Sequence, residues 1–367
     1  MVLDTAHRIT FTRQSSSRLV CSLVLVLGVI AVTSSTTWMV LSLAGVGVGA
    51  ASNQQTVIID TDPGIDDAVA IFTALGDPNI KVMAITCARG NADVHQVVVN
   101  TLKLLSVSMN TNIPVYTGSN SGLIDSPHSD EYFGKDGLGD VPYSNPPSAS
   151  NAQKEHAASF LARTVSEYPG EITVICLGPL TNIALAINLN PQFLLQARRV
   201  VILGGSIKGQ GNAAPGVEFN FYMDPDAASI VLNRASVSGA PVTLLPMETV
   251  IENELTQFWR WNVLAKLNNL VVSFMNKMET SQLSRHPSKV YTPYDSYAVA
   301  VVLCPGFVTH SQQLYGFVEN RSERTRGALV LDYMNLTSSP ANIQVVTEVN
   351  TTLMKTWMYA DLSNFKR

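Results

Sequence analysis

Charged side chains are scarce in this 367-residue chain: Asp, Glu, Lys and Arg together make 14%, with a formal net charge of −4. The lysines and arginines form no run or stripe, so the electrostatic footprint of a nucleic-acid-binding protein is absent. Cysteine is scarcer still. Setting aside Cys21 near the N-terminus, Cys87, Cys176 and Cys304 remain, an odd number lying in apolar segments. That argues against a disulfide framework and predicts buried free thiols. No repeat or linker interrupts the chain from Thr56 onward, and its length is ample for one domain with a large core.

The N-terminus is different in kind. His7, Arg8, Arg13 and Arg18 make a positive region, and from Leu19 to Ser52 no charged residue occurs. The run "LVCSLVLVLGVIAV" has the character of a secretory h-region, and the small residues around Ala50 and Ala51 suit cleavage. The whole uncharged span is also long enough to cross a bilayer. Residues 1–51 therefore read as a signal peptide or signal anchor and 52–367 as the folded domain, secreted or else displayed on a membrane. Contact with a membrane is expected only if the leader is retained. The triplets beginning at Asn320, Asn335 and Asn350 are glycosylation sequons.

After the leader, short apolar runs alternate with helical patterns. "TVIID", "KVMAITCA", "EITVICLG", "RRVVILGG" and "APVTLLP" read as strands buried on both faces, as in a parallel sheet. Between them, "DDAVAIFTAL", "ADVHQVVVNTLKLLSV", "LTNIALAI" and "PDAASIVLNRAS" carry helical spacing. The alternation predicts an α/β fold, a single domain with a mostly parallel, doubly wound sheet flanked by helices. Residues 118–150, rich in Gly, Ser, Pro and Asp, read as a long surface excursion, the kind of loop that often carries function. "TQFWRWNVLAKL" reads as one helix, "QLYGFVE" as one strand, and Glu218 and Asn220 alternate along an extended segment.

Against that low charge, "VIIDTDPGIDDAVAIF" gathers four aspartates, Asp60, Asp62, Asp66 and Asp67, where the first strand gives way to the first helix. In an open parallel sheet ligands collect beyond the C-terminal strand ends. Period-two alternation sends Asp60 and Asp62 to one side, and the Pro63-Gly64 turn lets Asp66 and Asp67 face them. Converging carboxylates must share protons or share a cation, and a hard divalent ion such as Ca²⁺ is the economical solution. Helix capping accounts for one or two of the four.

The same stretch resembles the inosine–uridine-type nucleoside hydrolases, whose N-terminal motif D-x-D-P-G-x-D-D-A is matched throughout by "DTDPGIDDA". The other segments follow in the family's order: "ITCARGN", "LGPLTNIA", "ILGG", "EFNFYMDPDAA" and "TPYDSYAV". The resemblance implies Ca²⁺-dependent hydrolysis of ribonucleosides to free base and ribose. By position, Asp62, Asp67, Asp295 and the carbonyl of Leu177 would bind Ca²⁺, and Asp62 would accept a proton from a water at the metal. Asp66, Asn91, Asn212, Glu218 and Asn220 would hold the ribose hydroxyls, and Asp60 would support the loop from behind. A dimer or tetramer is also implied. Taken singly, Asn91 could cap the following helix, Asn182 could fix a turn, and Asp295 could cap its own helix.

The chain departs from the family where the base leaves. One family histidine precedes the last metal aspartate, and here that position is Tyr294. Another precedes the glycine of an H-G-x-x-G-L segment, and here "YFGKDGLGD" has Phe133. His95 and His156 sit in helical patterns, while His128 and His286 lie in loops and remain candidate substitutes. Stacking by Phe133 and Tyr294 would bind the base with solvent protonating it; alternatively the Tyr294 phenol would donate. Tyr291, Trp259 and Trp261 are further aromatic candidates. Two rival functions share part of this pattern. D-x-D phosphatases want Thr or Val where this chain has Gly64. A non-catalytic ribonucleoside-binding protein would explain the missing histidines but has no need of Asp62 as a base.

Overall fold

The computed structural model describes residues 54–366 apart from Ser126 and Asp130. The leader expected at 1–51 lies outside the described residues. The strands are β1 (Gln55–Thr61), β2 (Ile80–Cys87), β3 (Val115–Thr117), β4 (Ile172–Cys176), β5 (Arg199–Leu203), β6 (Val242–Leu245), β7 (Leu255–Thr256), β8 (Val290–Tyr291), β9 (Val308–Leu314), β10 (Gly316–Val318), β11 (Leu329–Leu331) and β12 (Ile343–Val349). The helices are α1 (Ile65–Gly76), α2 (Val94–Val107), α3 (Ala157–Glu167), α4 (Thr181–Leu189), α5 (Phe193–Gln196), α6 (Phe219–Met223), α7 (Pro225–Ser238), α8 (Met247–Ile251), α9 (Gln257–Asn262), α10 (Leu270–Arg285), α11 (Tyr294–Leu303) and α12 (Thr351–Ser363).

Eight strands form the main sheet in the order β3-β2-β1-β4-β5-β6-β12-β9. All neighbours are parallel except β9, which runs antiparallel to β12 at the edge. The order runs one way from β1 through β2 to β3 and the other way from β4 outward. The gap between the ends of β1 and β4 is therefore the topological switch point, where such sheets leave a crevice.

Both faces of the sheet are covered. Along β1, Val57 and Ile59 join one core with α1, α2, α10, α11 and α12, while Ile58 joins the other with α3, α4, α5 and α7. Period-two alternation makes every second side chain change layers, so a strand between two helical layers must be apolar throughout. The doubly wound α/β sheet expected from the sequence is the one observed. Full burial of one such Ile side chain contributes about 2–3 kcal/mol. Cys87, Cys176 and Cys304 are free and buried, as expected.

Three local expectations are corrected. The segment holding Glu218 and Asn220 is not extended: it is helix α6, because the Glu218 carboxylate accepts hydrogen bonds from Asn220 N and Phe221 N and caps it. The tryptophan segment does not run on as one helix. It stops at Asn262 and resumes as a 3₁₀ turn at Leu264–Lys266, with Asn262 and the β-branched Val263, both weak helix formers, at the break. The strand read across "QLYGFVE" is two, β9 and β10, which belong to different sheets.

Residues 118–148 carry no regular element among the described residues. The excursion is nevertheless fastened to the sheet side. Asn100 Nδ2 donates to Pro63 O at 3.2 Å and to Asp136 O at 2.6 Å, and Ser129 Oγ donates to Asn91 O at 2.9 Å. These bonds lay Tyr132 and Phe133 over the mouth of the switch-point crevice.

Candidate active site

The crevice is a cavity of about 240 Å³. Asp62, Asp66, Asp67, Asn91, Phe133, Leu177, Asn212, Glu218, Asn220, Tyr294 and Asp295 all line it. The candidates thus come from the ends of β1, β2, β4 and β5, the excursion, and the first turns of α1, α6 and α11. Asp60 is the exception. It lies fully buried behind the cavity, where its Oδ1 accepts from Thr86 Oγ1 at 2.5 Å and Asn182 Nδ2 at 2.9 Å. Asn182 also donates to Cys87 O at 3.0 Å and accepts from Ser119 N at 3.0 Å, so it ties strand ends together rather than facing the cavity.

Asp62 is held from three sides. Asn91 N donates to its Oδ2 at 2.8 Å. A Cβ at Gly90 would lie 1.8 Å from Oδ2 and one at Gly178 2.2 Å from Oδ1, so only glycine lets these two backbones close around the carboxylate. Asn91 does not cap α2, because Asp93 does. Its side chain instead donates to Asp62 O at 3.2 Å and reaches Asp67 Oδ2 at 3.4 Å.

Capping accounts for one aspartate of the loop. Asp67 Oδ2 accepts from Gly64 N at 2.9 Å, and its Oδ1 accepts from the Thr61 hydroxyl. Asp295 sits in the first turn of α11, which has no side-chain cap. Ligand oxygens of Asp66, Asp67 and Asp295 lie within 4.8 Å of one another. Burial, then the neighbouring carboxylates, pushes Asp62 and Asp295 well above the usual carboxylate range and Asp66 up to about 7. Burial likewise raises Asp67.

Among the described residues, no lysine, arginine or histidine lines the cavity. A cluster of buried acids without a cationic side chain is one that a cation from solution can balance, and its all-oxygen donor set suits a hard divalent ion. The set brought together most closely contains Asp66, whereas the resemblance implies Asp62, Asp67, Asp295 and the Leu177 carbonyl. That carbonyl accepts from Asn220 Nδ2 at 2.7 Å. Asn220 also donates to Leu203 O at 3.1 Å, bridging the ends of β4 and β5. Glu218 accepts from Gly205 N at 2.9 Å as well as capping α6, and burial pushes it up to about 7.

A family model described as "inosine-uridine preferring nucleoside hydrolase" matches residues 57–356. The chain belongs to that family. The pyrimidine-specific ribonucleoside hydrolase RihA of Escherichia coli O7:K1 is 33% identical over 304 residues, covering 80% of this chain and 94% of that one. A solved inosine-guanosine nucleoside hydrolase superposes with a TM-score of 0.78 at 28% identity, over 86% of this chain and 100% of that one. A purine-preferring ribonucleoside hydrolase from Gardnerella vaginalis superposes at 0.74 with 26% identity, over 85% and 99%. These relatives are named for different bases, so membership of the family leaves the base open.

The outer wall of this nucleoside hydrolase is aromatic. Phe133 meets Tyr132 edge to face at 4.9 Å between centroids. Tyr294 lines the cavity too, its phenol pushed up by burial, then by the charges of Glu254 and Asp66. A phenol so raised is a hydrogen-bond donor and a poor proton donor. Tyr132 and Met247 line the cavity without having been singled out from the sequence. The signals were local: Tyr132 adjoins Phe133, and Met247 follows the end of β6, where side chains of a parallel sheet face the ligand.

Proposed function

We propose that the enzyme hydrolyses the N-glycosidic bond of ribonucleosides, giving free base and ribose, with Ca²⁺ at the carboxylate cluster. The observation that carries this reading is the convergence of Asp62, Asp66, Asp67 and Asp295 with the amides of Asn91, Asn212 and Asn220 on one cavity. Asp62, Asp67, Asp295 and the Leu177 carbonyl would hold the ion. When bound, Ca²⁺ would balance the buried acids, orient water and sugar hydroxyls, and lower the water's pKa.

Asp62 takes a proton from the attacking water. Gly90, Gly178 and Asn91 N prevent its carboxylate from rotating away, so the base stays aligned without reorganisation. Asp66, Asn91, Asn212, Glu218 and Asn220 receive the ribose hydroxyls. As the glycosidic bond lengthens, positive charge grows on the sugar, and the carboxylates beside it stabilise that charge. A partner for each hydroxyl favours ribonucleosides over 2′-deoxynucleosides, which would leave buried polar groups unmatched. The uncharged span from Leu19 to Ser52 supports a route into the secretory pathway, and the exposed Asn335 would suit a glycan there.

Ribose release from a panel of nucleosides, with Ca²⁺ and with chelator, tests the reading. Cleavage of one or more, lost on chelation and restored by Ca²⁺, is the expected result. Nucleoside that stays bound and intact would mean the cavity is a receptor.

A further inference from the structure

The reaction needs a proton for the departing base, and neither family histidine position can supply one as imidazole: one is Phe133 and the other Tyr294. Among the described residues, the histidines are scattered. His95 is exposed on α2, His156 accepts from Ala158 N at the start of α3, and His310 pairs with Thr347 on the edge strand β9. His128 is exposed on the excursion and lines neither the active-site cavity nor its neighbour. His286 is placed differently.

A second cavity of about 240 Å³ adjoins the first and shares Asp66, Tyr132, Phe133 and Tyr294 with it. His286 lines this second cavity, with its ring stacked on Tyr132 at 4.6 Å and 19°. With ribose held at the floor by the carboxylates and amides, the base must project toward the shared aromatic rings. Tyr132, on which His286 stacks, is one of the rings at that junction.

The backbone there is built for position. His286 N donates to Gln282 O at 2.7 Å, closing the last turn of α10. The same helix end is pinned to the excursion that carries Tyr132. Arg285 Nη1 donates to Asp140 Oδ2 at 3.0 Å, and Ser281 Oγ donates to Gly139 O at 2.6 Å. A histidine offered by a fixed helix end, π-stacked beside an aromatic wall, is a group that can meet a planar base along its edge.

We propose that His286 is the leaving-group acid, delivering a proton to a ring heteroatom of the nucleobase from the second cavity. The assignment rests on the hydrolase reading above. In the step, the bond between C1′ and the base nitrogen breaks and its electron pair leaves with the base. The imidazolium proton of His286 goes to the base, water oxygen bonds to C1′, and Asp62 takes the water's proton. Solvent then carries that proton back, leaving both side chains as they began.

The test uses two substrates. A ribonucleoside needs its base protonated, whereas 4-nitrophenyl β-riboside releases a stable phenolate that does not. Wild type and the His286→Gln and His286→Ala variants are assayed on both with Ca²⁺. The expected result is a loss of about 100-fold or more in nucleoside kcat for both variants, with nitrophenyl riboside turnover retained. Retention of both activities would overturn the assignment. So would a parallel loss of both, which would make His286 a support for the fold of the wall. A wild-type protein inert on both substrates would sink the hydrolase reading itself, and the assignment with it.

Discussion

The cavity floor consists of carboxylates, a carbonyl and amides fixed from behind by hydrogen bonds, while the outer wall consists of aromatic rings, one of them stacked on a histidine of the adjoining cavity. On the floor, Asp62 is hemmed by two glycines and Asn91, and Asn220 bridges two strand ends. In the wall, Tyr132 is 44% exposed and stacks on an exposed histidine. Charge that must be neutralised or aimed has to be held rigidly, because misplaced buried charge is costly. A stacking surface tolerates movement, since a ring contributes through area and loose geometry. In the proposed reading the floor therefore takes the part of the substrate that every ribonucleoside shares, and the wall the part that varies.

The sharpest way to break that contrast is at Asp62. Asp62→Asn keeps the volume but removes the proposed general base and ion ligand, and nucleoside kcat should fall by roughly 10⁴-fold whichever nucleobase is carried. A steady-state assay over several nucleosides checks this, and a loss confined to one base would show that floor and wall are not separate. Next comes Asn220→Ala, which unties Leu177 O from Leu203 O. We expect a loss on the order of 100-fold in kcat/KM, equal for all bases, with thermal stability lowered by about 1–2 kcal/mol. Phe133→Ala should cost less, about tenfold in kcat/KM, and unequally between purine and pyrimidine nucleosides because it removes about 1 kcal/mol of stacking. Equal losses across bases would deny the wall its role in choosing among them.

The smallest effect is expected at a raised carboxylate outside the cavity. Burial, then Asp77, pushes Asp361 on α12 up to about 7, and its Oδ2 has no hydrogen-bond partner. An acid whose pKa is higher folded than unfolded favours the native state most below the unfolded value, near 4, and that advantage is lost as pH rises through about 7. Asp361→Asn should leave stability unchanged near pH 4 and raise it by roughly 1 kcal/mol at pH 8, about 2 °C in Tm, without changing kcat. Thermal melts across that range provide the check.

Much of the fold was legible because strand and helix periodicities are local. The runs through Ile58, Val174 and Val201 are apolar at successive positions because both faces are covered, and that alone indicates a parallel sheet between helical layers. The aspartate loop was legible because its four acids lie within one strand end and one helix start. Glu218 and Asn220 misled, since their spacing fits a strand as well as a capped helix, and only the hydrogen bonds to Asn220 N and Phe221 N distinguish the two.

By itself, then, the sequence determined the switch-point architecture and the make-up of the floor, since both are written in residues that are near neighbours along the chain or sit at predictable strand ends. Only the tertiary structure decided which histidine stacks on the aromatic wall. The meeting of Tyr132 with His286 joins an irregular excursion to the end of a distant helix through bonds such as Arg285 to Asp140. Contacts of that kind depend on how loops pack across long separations, and no periodicity in the chain records them.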